Sequence, residues 1–404
     1  MINFKPKNFY WGAATASYQV EGGIENTDWA KAAREGRVPP CGRACDHYHR
    51  YEEDFDIAQS LGHNAHRFSI EWARIEPEEG KFDEETTEHY RRVLRALRDR
   101  NLEPFVTLWH FTLPLWFAQS GGFERKDAPK IFARYCQYIV EQLGDLCLHF
   151  STMNEPNVYA THGYLYGVWP PFQRVGLMAK GDGTEERAQP QTKIRNYWQY
   201  WKVASNLVKA HNTAYACIKA ARPDTQVSVI KHVHVFDANE RFINKLLARV
   251  AQYLQTDAFL LGIKGSFDAI GLNYYRSTRF GETRNFLQTD MGWNALPSGI
   301  YNALLHLQRY QKPIFIAEAG LADEDDDLRP QYLTVQIMAM QRAIQDGVDV
   351  RGHLYWSLLD NYEWALGFEK RFGIVEIDYD TLERKIRPSA YVYKRIIENN
   401  GIVE

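Results

Sequence analysis

Between residues 148 and 156 the chain reads Leu-His-Phe-Ser-Thr-Met-Asn-Glu-Pro. Residues Leu148–Met153 are predicted to form a short β-strand, and two polar residues, Asn154 and Glu155, follow directly at its end. A β-rich run that closes on polar side chains recurs along the chain. This recurrence indicates how the chain folds.

Eight such runs alternate with eight longer amphipathic segments, which is the pattern of repeated βα units around a parallel sheet. The predicted strands are Phe9–Thr15, His63–Ile70, Glu103–Trp109, Leu148–Met153, Gln226–Phe236, Asp268–Tyr274, Pro313–Ala317 and Val350–Trp356. The predicted helices are Glu53–Leu61, Glu84–Arg100, Ala128–Leu143, Ile194–Ala221, Arg241–Leu254, Ser298–Tyr310, Pro330–Gln345 and Ser389–Asn399.

No Ser/Gly-rich linker or change of composition divides these units. Pro330 suits the first turn of its helix, and glycines stand where three other helices are expected to end, at Gly62, Gly144 and Gly347. The sequence therefore predicts an α/β fold, a single (β/α)8 TIM barrel domain over residues 1–404. In such a barrel the active site lies at the C-terminal ends of the strands.

Composition narrows the function classes. The 404 residues are 45% apolar and 25% charged, with a net charge of −3, so we expect neither a nucleic-acid nor a membrane partner. The five cysteines are an odd and sparse set, and no secretory signal is evident, which favours the cytoplasm. Aromatic residues are plentiful, with 11 Trp and 24 Tyr, and rings of this kind suit a site for flat sugar faces.

Polar and aromatic residues close the predicted strands and should meet at one rim of the barrel. They are Gln19, Arg67, His110, Asn154, Glu155, Asn273, Tyr274, Tyr275, Glu318, Trp356, Glu363 and Trp364. Three of them are carboxylic acids, and two of these, Glu155 and Glu318, stand directly at the ends of different strands. Two carboxyls in different protonation states are what cleavage of a glycosidic bond requires.

These two glutamates can divide that chemistry. Arg67 and a tyrosine hydroxyl are expected to keep Glu318 ionised as a nucleophile, whereas an aromatic-lined environment would keep Glu155 protonated as the acid/base. A retaining mechanism needs the two carboxyls about 5–5.5 Å apart. Glu155 alone could also be a surface residue, and Glu318 alone could be a structural partner of Arg67.

The chain resembles glycoside hydrolase family 1, the β-glucosidase and β-galactosidase family, in six segments that occur in order. These are residues 9–22, 67–72 (Arg-Phe-Ser-Ile-Glu-Trp), 152–156 (Thr-Met-Asn-Glu-Pro), 273–275 (Asn-Tyr-Tyr), 356–364 (Trp-Ser-Leu-Leu-Asp-Asn-Tyr-Glu-Trp) and 371–373 (Arg-Phe-Gly). Other segments look most like the archaeal-type members. The resemblance implies an exo-acting β-glucosidase with β-galactosidase and β-fucosidase side activity.

The resemblance also implies a role for each residue of the rim. Residues that would bind the terminal sugar are Gln19, His110, Asn154, Glu363 and Trp364, with Trp356 as the floor. Residues that would surround the nucleophile and border the substrate are Arg67, Asn273 and Tyr275. The substrate would be a small β-linked oligosaccharide or an aryl or alkyl β-glycoside, no cofactor or metal is implied, and a homo-oligomer is open.

The chain departs from the family pattern in three places. The nucleophile segment reads Ala317-Glu318-Ala319-Gly320 where the family has Thr-Glu-Asn-Gly; Phe111-Thr112 replaces Trp-Asp; and Asn157 replaces a Trp. A second hypothesis therefore stays open, a β-glycoside-binding relative with weak or no catalysis. Transfer to acceptors other than water is a third, whereas Glu363 would repel the phosphate of a 6-phosphoglycoside.

Four further patterns have competing interpretations. Cys41-Gly-Arg-Ala-Cys45 and the histidines that follow lack zinc spacing, so no metal is expected. In Lys231-His232-Val233-His234 the two histidines should share one face, where packing is favoured over substrate contact. The acidic run Asp323–Asp327 is predicted to be a solvated loop rather than a cation site. Two helical tryptophans, Trp198 and Trp201, are predicted in the core or at the rim.

Overall fold

A computed structural model of the protein describes residues 9–173, 195–281 and 287–402. Eight parallel strands within these ranges close into a barrel, in the order β1-β8-β7-β6-β5-β4-β3-β2. The strands are β1 (Tyr10–Ala14), β2 (Ala65–Ser69), β3 (Glu103–Thr107), β4 (His149–Asn154), β5 (Gln226–His232), β6 (Ala269–Asn273), β7 (Ile314–Glu318) and β8 (Val350–Trp356). The first and last strands pair from Tyr10 with Gly352 to Ala14 with Trp356. The predicted TIM barrel is thus confirmed.

Eight main helices surround the barrel. They are α1 (His47–Ser60), α2 (Glu84–Asp99), α3 (Ala128–Leu143), α4 (Arg195–Ala221), α5 (Phe242–Gln252), α6 (Ile300–Gln308), α7 (Arg329–Gln345) and α8 (Pro388–Glu398). The predicted bounds of α3 and β8 are confirmed, and most others move by one or two residues. Helix α1 begins at His47 rather than at the predicted Glu53.

Short elements that the periodicity did not predict build the loops around the barrel. Short helices cover Ser17–Val20, Asp28–Arg34, Trp72–Ile75, Leu115–Gln119, Pro156–Thr161 and Ala258–Gly262, and π-turns cover His162–Tyr166 and Tyr253–Asp257. Three-residue 3-10 turns cover Gly122–Glu124, Pro297–Gly299 and Trp364–Leu366. Two antiparallel ribbons pair Leu287–Gln288 with Asn294–Ala295 and Val375–Ile377 with Arg384–Ile386. None of the helices within the described ranges has the length and apolar character needed to cross a bilayer.

The prediction of one strand over Gln226–Phe236 is wrong. Strand β5 stops at His232, opposite Asn273, which is also the last residue of β6. Beyond that point β5 has no neighbouring barrel strand to pair with, and Val235–Ala238 instead pairs in parallel with Ser277–Phe280. All the residues across the break favour strands, so local periodicity does not reveal it.

The two ends of the barrel interior differ in chemistry. At the N-terminal end, rings from four strands close the bottom: the Phe105 ring lies 5.2 Å from Tyr10, 4.4 Å from His149 and 5.1 Å from Phe315. At the C-terminal end the inward residues are polar. The bottom therefore stabilises the barrel by apolar packing, and the top is left for chemistry.

Two residues of the acidic run are buried, so the solvated-loop prediction is wrong for Asp323 and Asp326. The Asp323 carboxylate accepts hydrogen bonds from the backbone N–H groups of Leu328 and Arg329 at the start of α7. Asp326 forms an ion pair with the buried Arg329 and accepts hydrogen bonds from both the N–H and the hydroxyl of Ser389. These aspartates join α7 to α8.

The structure also bears on the two tryptophans and on the first two cysteines. Trp198 and Trp201 are exposed on α4, so a core location is wrong, and the alternative location at the rim stays a prediction. The thiols of Cys41 and Cys45 donate to the backbone carbonyls of Tyr18 and Asp360, each at 3.0 Å. Their sulfur atoms thus contribute to packing between loops.

We expect Asp326→Ala to reduce the free energy of unfolding by about 3–5 kcal/mol, because it leaves the Arg329 guanidinium buried without its carboxylate. Asp327→Ala is the matched control, since Asp327 is exposed in the same run and its loss should cost less than about 0.5 kcal/mol. Urea unfolding followed by circular dichroism measures both. Equal effects of the two substitutions would contradict the structural role of Asp326.

Candidate active site

A cavity of about 310 Å³ opens at the C-terminal ends of the barrel strands. Nine of the residues predicted for the rim line it, namely Gln19, His110, Asn154, Glu155, Tyr275, Glu318, Trp356, Glu363 and Trp364. Arg67 and Asn273 are buried directly behind the wall and reach the lining residues by hydrogen bonds. Tyr274 is buried away from the cavity, where its hydroxyl donates to the Leu296 carbonyl, so the structure brings together all of the predicted set except Tyr274.

Arg67 is the centre of the site. Its Nη1 donates to Glu318 Oε1 at 2.5 Å, its Nη2 donates to Asn154 Oδ1 at 2.9 Å, and its Nε donates to Thr107 Oγ1 at 2.9 Å. One buried guanidinium thus connects the ends of four strands, β2, β3, β4 and β7. It holds the Glu318 carboxylate in place and supplies the charge opposite to it.

Both carboxyls belong to one hydrogen-bond network. The Asn273 amide donates to Asn154 Oδ1 at 3.2 Å and to Glu155 Oε1 at 2.7 Å. On the other side, the Tyr275 hydroxyl donates to Glu318 Oε2 at 2.7 Å. Glu318 therefore has a charged or phenolic donor on each oxygen, whereas Glu155 has one neutral amide donor.

The two environments favour different protonation states. Burial, followed by the nearby charge of Glu318, raises the pKa of Glu155 to about 8. Burial also holds the pKa of Tyr275 well above its ordinary value, so this phenol stays a donor. The ion pair with Arg67 stabilises the negative charge of Glu318. The site therefore places a carboxyl whose pKa is raised beside a carboxyl that is ion-paired with an arginine.

Backbone geometry also marks the site. Glu155 has a left-handed conformation, with φ 43° and ψ 54°, and its N–H donates to Ile230 O at 2.9 Å. Trp364 has φ 49°. Non-glycine residues in this region cost about 1–3 kcal/mol each and persist where the surroundings impose them, often at functional sites. Here they aim Glu155 and Trp364 at the same cavity.

One end of the cavity presents polar groups beside aromatic rings. Gln19 Nε2 donates to Asn361 Oδ1 and to the Tyr362 carbonyl, and no described residue supplies a partner for its buried Oε1. The His110 ring stacks at 5.9 Å on both Trp356 and Trp364. Burial keeps the pKa of His110 well below its ordinary value, so the ring is neutral. Neutral amides and rings of this kind suit the hydroxyls and faces of a sugar.

The opposite wall contains His232 and His234, for which the sequence favoured packing, and Arg276 and Trp293, to which it assigned no role. His232 Nδ1 lies 3.8 Å from Glu155 Oε1, and the His232 and His234 rings stack at 6.5 Å. The prediction that these histidines share one face is confirmed, and both line the cavity. The Arg276 guanidinium lies over the Trp293 ring, 5.1 Å from its centroid. Alternation in residues 231–234 was the one sequence signal for this wall.

The departures from the family pattern lie in three different settings. Ala317 and Ala319 are buried, and their backbone carbonyls accept hydrogen bonds from Arg67 Nη1 and from the Trp356 N–H. The two partners of Glu318, Arg67 and Tyr275, thus use neither flanking side chain. Phe111 and Asn157 line the cavity, whereas Thr112 donates to the buried Glu71.

Within the described residues, no group of three or more histidine, cysteine or acidic side chains has the arrangement of a metal site. The histidines in the first turn of α1 pair with aspartates rather than with each other. His47 Nδ1 lies 2.7 Å from Asp54 Oδ2, and His49 Nδ1 lies 2.7 Å from Asp46 Oδ1. These pairs contribute to α1 and its start.

Comparison with known proteins agrees with this geometry. The family model described as glycosyl hydrolase family 1 matches residues 2–249 and 280–402. The chain is 32% identical to a 1,4-beta-D-glucan glucohydrolase of Thermotoga neapolitana, over 99% of each chain. It is 30% identical to a beta-galactosidase of Sulfolobus acidocaldarius, over 100% of this chain and 97% of the other. A solved structure of a beta-glycosidase from Pyrococcus horikoshii superposes with a TM-score of 0.87 at 36% identity, covering 99% of this chain and 96% of that one.

We expect Glu318→Gln to lower the pKa of Glu155 from about 8, because the substitution removes the second cause of the shift. The pKa should stay above the ordinary glutamate value of about 4.3, because burial is the larger cause and remains. Titration of labelled glutamate carboxyls by NMR measures the change. Glu363→Gln serves as the control with a smaller effect, and an unchanged Glu155 pKa in Glu318→Gln would refute the coupling.

Proposed function

The chain belongs to glycosyl hydrolase family 1 and is a β-glucosidase-type glycoside hydrolase, and from that premise we propose a retaining, exo-acting mechanism. Glu318 is the nucleophile and Glu155 is the acid/base. The single observation that carries the proposal is the contrast between their surroundings: Glu318 is ion-paired with Arg67, whereas burial and the nearby Glu318 raise the pKa of Glu155 to about 8.

In the first step the ionised Glu318 attacks the anomeric carbon while Glu155 protonates the departing glycosidic oxygen. Arg67 and the Tyr275 hydroxyl hold Glu318 with both oxygens engaged, so the carboxylate is oriented before substrate binds. The bond between the sugar and the leaving group breaks, and a covalent glycosyl-enzyme forms on Glu318.

In the second step Glu155, now ionised, removes a proton from water that attacks the anomeric carbon. The charge on Glu318 is lost when the ester forms, which removes the repulsion that raised the pKa of Glu155. The pKa of Glu155 is therefore lower in the second step, when it accepts a proton from water, than in the first step, when it donates a proton to the glycosidic oxygen. Asn273 stays bonded to the same carboxyl oxygen through both roles.

For the bound sugar we propose the end of the cavity that contains Gln19, His110, Glu363 and Trp364, with Trp356 as its floor. Gln19 Oε1 and Glu363 would accept hydrogen bonds from sugar hydroxyls, and the rings would cover a sugar face. The relatives named as a glucohydrolase and as a beta-galactosidase support the proposal of a β-glucosidase with β-galactosidase side activity, to which we add β-fucosidase side activity. Aryl and alkyl β-glycosides and small β-linked oligosaccharides are the substrates proposed.

We also propose that residues 1–404 form one domain and that the enzyme works in the cytoplasm. The pairing of β1 with β8 supports the first point, because the barrel needs strands from both ends of the chain. The five cysteines support the second, because all are free thiols and four are buried.

Glu318→Ala should abolish turnover of nitrophenyl β-glucoside because no covalent intermediate can form. Azide, a small external nucleophile, should restore release of nitrophenol and yield the α-glycosyl azide. Wild-type enzyme should release the β-anomer of the sugar first, as followed by NMR. Turnover that survives Glu318→Ala, or binding of glucosides by wild type with no turnover at all, would overturn the assignment, and the second result would favour the non-catalytic relative.

Glu155→Gln should lower kcat/KM for phenyl β-glucoside by about 10²–10⁴-fold, the usual contribution of general acid catalysis. The loss should be smaller for a dinitrophenyl glucoside, whose leaving group needs no proton. Wild-type kcat/KM should fall as pH rises above about 8, because Glu155 must be protonated to act as the acid. If Glu155→Gln shows the same fall in kcat/KM at alkaline pH, Glu155 is not the group that causes the fall.

A further inference from the structure

Helix α5 and the π-turn that follows it present large apolar side chains to solvent. We call these residues the α5 stripe: Phe242, Ile243, Leu246, Leu247, Val250, Tyr253 and Leu254. Phe242 is 80% exposed, and Leu254 is 54% exposed. Elsewhere on the described surface, Met338 and Tyr391 are exposed singly, which is ordinary for a globular protein, and a smaller exposed group, Tyr197, Trp198 and Trp201, lies on α4.

Helix α5 turns its apolar side chains to solvent, which is the reverse of the orientation usual for a surface helix. At 3.6 residues per turn, the stripe occupies an arc of about 140°. The opposite face, which lies against the protein, carries small and polar side chains: Ala248 is buried, Gln252 Oε1 accepts from the Phe236 N–H, and Asn244 donates to Asn239. A surface helix normally turns its apolar stripe to the core. Within residues 9–173, 195–281 and 287–402, the α5 stripe therefore lacks the cover that such a stripe requires.

The size of the stripe suits a protein partner. With about 150–250 Å² on a fully exposed aromatic side chain and less on an aliphatic one, these exposures leave roughly 700 Å² of apolar surface. A monomer typically exposes contiguous apolar patches of about 300–600 Å² at most. A standard interface buries about 800 Å² on each partner. One stripe thus provides most of one half of a stable interface.

We propose that a second copy of this chain covers the α5 stripe, forming a two-fold symmetric dimer. Val250 lies near the middle of the stripe along the helix and around it, and the next residue is the small Ala251. Two stripes packed antiparallel about this point bring Leu246 beside Leu254 of the partner subunit. The contact is self-complementary, as a two-fold interface must be.

The charges beside the stripe distinguish dimer formation from adsorption on a membrane. Lys245, which is ion-paired with Glu240, and Arg249 flank the stripe on one side, so two copies bring their Arg249 side chains, which carry like charges, near each other. Salt screens that repulsion and should strengthen the dimer. Binding of the same cationic helix to an anionic bilayer would weaken as salt rises. The two occupants of the stripe therefore respond to salt in opposite directions.

Sedimentation equilibrium of the full chain tests the proposal. Wild type should sediment with twice the chain mass at micromolar concentration, more completely at 0.5 M than at 0.05 M sodium chloride. Val250→Glu should weaken the dimer at least tenfold, since it places two carboxylates at the centre of the interface. Met338→Glu, an equally exposed apolar position on α7, is the matched control and should leave the mass unchanged.

Cross-linking provides an independent reading if Val250→Glu folds poorly. Val250→Cys should form an intermolecular disulfide under mild oxidation, and Met338→Cys should not. A monomeric wild type at 100 µM would overturn the proposal, as would a dimer that Val250→Glu leaves intact. So would a monomer that cosediments with phosphatidylserine vesicles only at low salt. All three outcomes can occur in an enzyme that hydrolyses β-glucosides normally, so they leave the proposed function standing.

Discussion

The Arg67 guanidinium and its ion pair with Glu318 are the interaction on which the site depends. A charge so deeply buried is costly unless donors and acceptors surround it. Here Glu318, Asn154 and Thr107 accept its N–H groups. The barrel supplies these acceptors because β3, β4 and β7 all end at the same rim as β2. Closure of the barrel thus provides the acceptors that a buried arginine requires, and the arginine in turn holds the Glu318 carboxyl in an ion pair.

Glu155 gains its character from the same arrangement by contrast. It is buried within the field of Glu318, and among the described residues the Asn273 amide is its hydrogen-bond donor. Burial and the charge of Glu318 raise the pKa of Glu155, whereas the Glu318 carboxyl is ion-paired with Arg67. The chemistry proposed for the site requires this asymmetry, since one group must attack while the other gives a proton.

The wall beside Glu155 connects the site to the outside of the barrel. Gln255 lines the cavity, and its carbonyl accepts a hydrogen bond from the buried Lys231. The same π-turn carries Tyr253 and Leu254 of the α5 stripe on its outer side. The segment that would pack against a second copy therefore also supports the wall next to the acid/base. Within these few residues, the inner face supports the cavity wall and the outer face would contact the second copy.

The sequence by itself determined the eight βα units, the rim on which Glu155 and Glu318 meet, and the involvement of Arg67. These follow from local periodicity and from the rule that parallel strands end at one edge. Only the tertiary structure decided the protonation of the glutamates, because that depends on partners 118 and 251 residues away in the chain. It also decided that β5 ends at His232, that Asp326 is buried and that the α5 stripe faces outward. Periodicity reveals that a segment has an apolar face but not what covers that face, since covering depends on elements distant in sequence.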